Sequence, residues 1–134
     1  GGEKRDARIL KDIAALQAEG FESIAVITKT AAESRTAFES LRGQGSEALQ
    51  LITKETVTFD KGAMVIPVYL AKGVEFDAVL IYEASSQAYS RENDRKLLYT
   101  ACTRAMHRLH VYTTSDWSPF VQALPVGLYE KAAY

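Results

Sequence analysis

Ser23-Ile24-Ala25-Val26-Ile27-Thr28, followed at once by Lys29-Thr30-Ala31-Ala32-Glu33, decides the fold. The first six residues are short, β-branched and apolar without alternation, the pattern of a strand buried on both faces. Thr30 with Glu33 three residues later forms a capping box, so a helix should begin there. It runs to about Leu41, before Arg42-Gly43-Gln44-Gly45-Ser46 turns the chain. A doubly buried strand feeding a helix is the unit from which a parallel sheet covered on both sides is built.

Upstream of this unit, Ala7, Leu10, Ile13, Ala14 and Leu16 recur at three- and four-residue spacing and Gly20 follows, which predicts an amphipathic helix over 4–19. Downstream, Leu49 to Thr53 and Ala63 to Ala71 read as strands, with Asp60-Lys61-Gly62 turning between them. Ala78 to Tyr82 repeats the buried pattern. Arg91 to Met106 reads as a long helix, Leu109 to Tyr112 as a closing strand, and Trp117 to Leu124 as a short terminal helix. The expected class is α/β, a mostly parallel sheet flanked by helices, whose ligands sit beyond the carboxyl ends of the strands. One domain over residues 1–134 is expected, with the opening Gly-Gly-Glu read as tag-derived or disordered.

Composition narrows the function. Sixteen basic and 17 acidic side chains give a net charge of −1, which excludes a wholly basic nucleic-acid-coating protein and leaves only local basic faces. With 47% hydrophobic residues the chain can build a core without disulfides, and its lone Cys102 cannot form one internally; a reducing, cytoplasmic compartment fits. The longest apolar run, Ala63 to Ala71, is about half of the roughly 18–20 residues needed to cross a bilayer, so no membrane span is expected.

No glycine is followed by lysine, so the phosphate-cradling loop GxxxxGK[ST] is absent, as is GxGxxG. His107 and His110 beside one cysteine make a poor metal set, and GxSxG is missing. Glu83 closes an apolar strand like a Mg²⁺-holding acid but has no phosphate loop to work with. Cys102 falls on the packing stripe of its helix. Tyr69, Tyr99 and Tyr112 fall within the apolar periodicity and read as core or edge residues rather than stacking platforms.

Two stretches stand out. In Leu70-Ala71-Lys72-Gly73-Val74-Glu75-Phe76-Asp77, Gly73 permits a sharp turn, Lys72 supplies a point charge and Glu75 can accept hydrogen bonds from hydroxyls. Read alone this is an ordinary solvated strand-to-strand loop, the default for a polar connection. In Lys96-Leu97-Leu98-Tyr99-Thr100-Ala101-Cys102-Thr103-Arg104-Ala105-Met106, the residues Leu98, Ala101, Cys102 and Ala105 form a helical packing stripe with Arg104 off to its side. Residues 91–110 hold five Lys or Arg against two acids, and an Arg fork suits phosphate oxygens. A surface arginine is also commonly just solvated.

Together, Ala71-Lys72-Gly73-Val74-Glu75-Phe76-Asp77 and Leu98-Tyr99-Thr100-Ala101-Cys102-Thr103-Arg104-Ala105 resemble motifs V and VI of the UvrD/Rep (superfamily 1) helicases, in that family's order. Ile24 to Thr30 resembles the strand opening its second motor domain. Leu97 to His107 with Ile66 to Gly73 is most similar to the HelD branch, ATP-driven proteins that act on RNA polymerase. The resemblance implies a C-terminal RecA-like motor domain whose ATP, with its Mg²⁺, is held by an N-terminal motor domain, so the missing phosphate loop is expected. It implies Arg104 as the arginine finger on the γ-phosphate, Glu75 on the ribose, Gly73 in the turn at the nucleotide and Lys72 nearby, with Tyr69 and Thr103 near a bound nucleic acid. Pro67 and Tyr69 stand where the family carries Thr and His beside single-stranded DNA, and about ten residues replace the family's large inserted subdomain before motif V. The expected function is an ATP-dependent DNA helicase or translocase half, inactive alone. The rivals are a binding module docking on RNA polymerase or DNA through the basic helix, and a flavodoxin-like small-ligand enzyme, for which no cofactor loop is visible.

Overall fold

In a computed structural model, residues 1–46, 48–56, 58, 61–124 and 130–134 are described. Six strands, β1 (Ser23–Thr28), β2 (Gln50–Leu51), β3 (Gly62–Pro67), β4 (Phe76–Ile81), β5 (Ala105–Thr113) and β6 (Glu130–Ala133), form one sheet in the order β2-β3-β1-β4-β5-β6. Every pairing between them is parallel. The expected α/β class is what the chain adopts.

The central strands are buried along all but their first one or two residues, and their alternate residues feed two cores. Ile24, Val26, Val65, Ala78 and Leu80 meet Ile9, Ile13, Leu16, Ala37 and Leu41 of helices α1 (Gly2–Ala18) and α2 (Ala31–Gly43) on one face. Ala25, Ile27, Met64, Ile66, Val79 and Ile81 meet Val68, Ala71, Leu98, Ala101 and Cys102 of α3 (Val68–Ala71) and α4 (Glu92–Cys102) on the other. Each such large side chain contributes about 1.5–3 kcal/mol on burial, which makes the two faces the main source of stability.

Local chemistry sets the helix starts. Thr30 accepts the Glu33 N–H at 3.1 Å, and Glu33 reaches back to the N–H of Lys29 at 2.9 Å, one residue before the cap. In α4 the Asp94 carboxylate accepts the N–H groups of Ser90 and Arg91 at 3.1 and 3.0 Å. The α1 stripe differs from expectation. Ala7 and Ala14 are exposed, while Asp6 and Asp12 are buried with Ile9, Ile13 and Leu16. Asp6 is bonded by Arg5 and Ser40, and Asp12 by Arg8 and the Tyr112 hydroxyl, so each buried charge is satisfied.

Several boundaries depart from the sequence reading. The stretch Ala63 to Ala71 is not one strand. β3 ends at Pro67, which lacks the N–H to continue a ladder, and the chain coils into α3. The helix expected to reach Met106 stops at Cys102, because Ala105 joins the sheet opposite Phe76 and sheet pairing overrides the helical stripe. The strand over Leu49 to Thr53 shortens to Gln50–Leu51, and the terminal helix is a 3₁₀ turn, Pro119–Ala123. β6 was not foreseen. Of the turn Asp60-Lys61-Gly62, Asp60 lies outside the described residues.

Candidate functional site at the amino rim of the sheet

The crossover from β3 to β4 returns the chain to the amino end of the sheet, so Lys72, Gly73 and Glu75 lie where β4 begins. This corrects the expectation that they sit beyond the carboxyl ends. All three are exposed, and Gly73 has φ +77°, a left-handed conformation that favours glycine. A side-chain carbon built there would meet nothing within 4 Å, so the backbone conformation alone requires the glycine.

Arg104 follows the end of α4 and precedes β5, at the same rim. Its carbonyl accepts the N–H of Phe76 at 2.8 Å, which fixes it next to the residue following Glu75. Because Arg104 lies beyond the helix, its direction is set by this strand pairing and not by position on the α4 wheel. Its half-buried side chain turns back on the helix end: Nε donates to the Thr100 carbonyl at 3.2 Å and Nη2 to Thr103 Oγ1 at 3.3 Å. Among the described residues Nη1 has no partner, so one edge of the guanidinium remains available. Between Phe76 and Ala78 the β4–β5 register slips by one residue, a bulge on β5 with Met106 55% exposed; bulges of this kind re-aim neighbouring side chains.

The same rim is held rigidly. Asp77 accepts the N–H groups of Glu22 at 2.7 Å and Ser23 at 3.2 Å, and those two bonds hold its carboxyl below the ordinary carboxylate range. Ser23 Oγ in return accepts the Asp77 N–H at 2.8 Å. His107 stacks on Phe21 with ring centroids 5.7 Å apart, and the Arg108 guanidinium lies 5.1 Å from that ring.

The opposite, carboxyl rim is filled by the chain's own side chains. Lys29 Nζ bonds the Ala88 carbonyl at 2.5 Å and pairs with Asp94 at 3.0 Å, while Arg5 bonds Glu83 at 2.7 Å and the Tyr82 hydroxyl at 2.5 Å. Glu83, read above as a conceivable metal acid, also accepts Thr113 Oγ1, the Thr114 N–H and Thr114 Oγ1. Burial of Glu33 beside this network raises its pKa, partly offset by the Lys29 N–H it accepts. Where ligands enter most α/β folds, this sheet is occupied by its own network.

Tyr69 stands apart from Thr103. It is 49% exposed on α3, beside Pro67, and lines a cleft of about 240 Å³ with Ser34, Arg35, Thr53 and Lys54, at the carboxyl side. Thr103 belongs to the amino rim with Arg104. Arg35 and Lys54, the cations of the cleft, were not singled out from sequence, since only the fold brings α2 and the segment after β2 together. Tyr99 is 64% exposed and lines an apolar groove of about 590 Å³ with Arg95, Lys96 and Phe120. Of the three tyrosines read as core or edge residues, Tyr112 lies in the core, at 1% exposure, while Tyr69 and Tyr99 stand exposed on their helices. Cys102 is buried as expected, and desolvation pushes its thiol up to about 12.

Residues 62–112 match the sequence profile of the UvrD-like helicase C-terminal domain. The C-terminal domain of a possible DNA helicase from Lactobacillus plantarum WCFS1 superposes with a TM-score of 0.82 at 34% identity, covering 95% of this chain and 77% of that one. The chain belongs to the UvrD-like helicase C-terminal domains, and its sheet is the RecA-like α/β domain of that family. Arterivirus nonstructural protein 10, a helicase solved with DNA, shares the fold at TM-score 0.51 and 14% identity; the present chain spans 33% of its length. No curated protein matches the sequence. Among the described residues no helix is long and apolar enough to cross a membrane.

Proposed function

We propose that this chain is the second motor half of an ATP-driven, UvrD/HelD-type DNA helicase or translocase, and that its amino rim completes a nucleotide site opened by an N-terminal motor domain. The observation that carries this reading is the 2.8 Å bond from the Phe76 N–H to the Arg104 carbonyl, which sets the Lys72–Glu75 bend and the arginine side by side on adjacent strands. Two segments about thirty residues apart in sequence thereby present a carboxylate, a permissive turn and a guanidinium along one edge. A nucleotide held opposite that edge would meet Glu75 at its ribose hydroxyls, Gly73 and Lys72 along its length and Arg104 at its terminal phosphate. As water attacks the γ-phosphorus and the bond to the ADP oxygen breaks, negative charge spreads over the phosphoryl oxygens. A guanidinium there stabilises it, an effect worth about 10³ to 10⁵ in rate. Engagement and release of the phosphate would close and open the two halves, converting hydrolysis into relative motion.

Arg104→Ala in the full-length protein should leave nucleotide binding largely intact and lower turnover by at least about a hundredfold. Normal turnover in that variant would refute the reading. Tyr69, in a cleft where Arg35 and Lys54 outnumber Glu55, suits a stacked and phosphate-paired single strand of DNA. The Tyr99 groove with Arg95 and Lys96 favours a second reading, a module that docks on DNA or RNA polymerase. Salt-dependent binding unaffected by Arg104→Ala, with no effect of that change on turnover, would support it.

A further inference from the structure

The Arg104 side chain is not free in solvent, and the group that holds it points to a residue with no assigned part in the chemistry. Thr103 is exposed at the C-cap of α4, where its backbone N–H bonds the Tyr99 carbonyl. Its hydroxyl donates to the Thr100 carbonyl at 3.0 Å. That donation uses its single proton and orients a lone pair outward, and Arg104 Nη2 donates to this lone pair at 3.3 Å. Arg104 Nε meanwhile donates to the same Thr100 carbonyl at 3.2 Å. Thr100 O, Thr103 Oγ1 and the guanidinium therefore close a three-membered hydrogen-bonded clamp on the carboxyl end of α4, where the helix dipole also favours a cation.

We infer that Thr103 is a positioning residue for Arg104: its hydroxyl holds the guanidinium along the amino rim before nucleotide arrives. This rests on the reading of Arg104 as the phosphate-contacting arginine. The clamp engages two of the five guanidinium N–H groups, Nε–H and one on Nη2. It leaves both protons of Nη1 and one of Nη2, the fork that accepts a phosphate. A long, flexible side chain held this way has less rotamer freedom to lose when the phosphate is met, so the hydroxyl acts on the rate of the chemical step and not on nucleotide affinity.

Four full-length proteins test this: wild type, Thr103→Val, Thr103→Ser and Arg104→Ala. Thr103→Val keeps the shape and removes the hydroxyl. It should lower kcat about threefold to tenfold, the range for one net hydrogen bond, with KM for ATP changed less than about twofold. Thr103→Ser should restore kcat to within about twofold of wild type. In the 134-residue chain, the Arg104 Nε–H should exchange with solvent severalfold faster in Thr103→Val than in wild type or Thr103→Ser, by proton–nitrogen NMR. Thr103→Val with wild-type kcat, beside an inactive Arg104→Ala, would overturn the inference and leave the arginine reading standing. Thr103→Ser as slow as Thr103→Val would overturn it as well. Wild-type turnover in Arg104→Ala would remove the arginine reading and this inference with it.

Discussion

Asp94→Ala should lower stability by about 3 kcal/mol. Asp94 accepts the Ser90 and Arg91 N–H groups, which have no partner within α4, and pairs with Lys29 at 3.0 Å across the carboxyl rim. A helix-start acceptor contributes about 0.5–2 kcal/mol, and a hydrogen bond to a charged group about 1.5–3 kcal/mol. The bonds share one carboxylate and are not additive, so a total near 3 kcal/mol is about what their joint loss should cost. Unfolding entropy of about 2.1 cal/mol/K per residue gives about 0.28 kcal/mol/K for 134 residues, hence a fall in Tm of about 10 °C. The Arg91 N–H, then Lys29, then the Ser90 N–H hold the Asp94 carboxyl below its ordinary value of 3.8. With the folded value depressed, the stabilisation is complete above the unfolded value and is lost as pH falls through the folded one. Thermal melts followed by circular dichroism at pH 7 and near pH 3 should therefore show a wide gap between wild type and variant that narrows in acid. A Tm within about 2 °C of wild type at pH 7, or a gap of equal size at both pH values, would refute the reasoning.

Gly73→Ala should cost about 1 kcal/mol in urea unfolding, because φ +77° strains any side chain while no neighbour crowds the site; Gly73→Asn should cost less. Tyr112→Phe removes a buried hydroxyl that donates to Asp12 at 2.5 Å and should destabilise by about 1–3 kcal/mol in the same assay. Cys102, with its thiol pushed up to about 12 by burial, should resist alkylation by iodoacetamide at pH 8 in the folded chain and react promptly in urea, as mass spectrometry would show.

The central fold was legible because β1 and β4 are apolar on both faces, which only a covered parallel sheet accommodates, and because Thr30 and Glu33 announce α2 chemically. The two motifs were legible as residue types, and the structure places Glu75 and Arg104 on adjacent strand starts. What sequence missed was decided by pairing. Ala105 looks helical in its spacing yet joins the sheet, since the open edge of β4 needs a partner. Pro67 looks like part of an apolar run, yet it ends β3. The rim was assigned to the wrong end because Val68 to Ala71 reads as more of the preceding strand, which would put Lys72 at a carboxyl end; those residues instead coil into α3, the crossover, and a crossover between parallel strands returns the chain to the amino end of the next one. Tyr69 and Tyr99 sit in apolar company along the sequence, but each points off the exposed side of its helix.

The eleven residues of α4 make a stiff rod about 16 Å long. One end is tied at Asp94 to Lys29, just past the last residue of the central strand, and the other delivers Arg104 to the far side of the sheet. The helix therefore spans the sheet from its carboxyl rim, where Lys29 is anchored, to its amino rim, where Arg104 emerges. No flexible loop lies between the Asp94 anchorage and the last turn of α4, so the place where Arg104 leaves the helix is fixed by the same rod that Lys29 holds at its start.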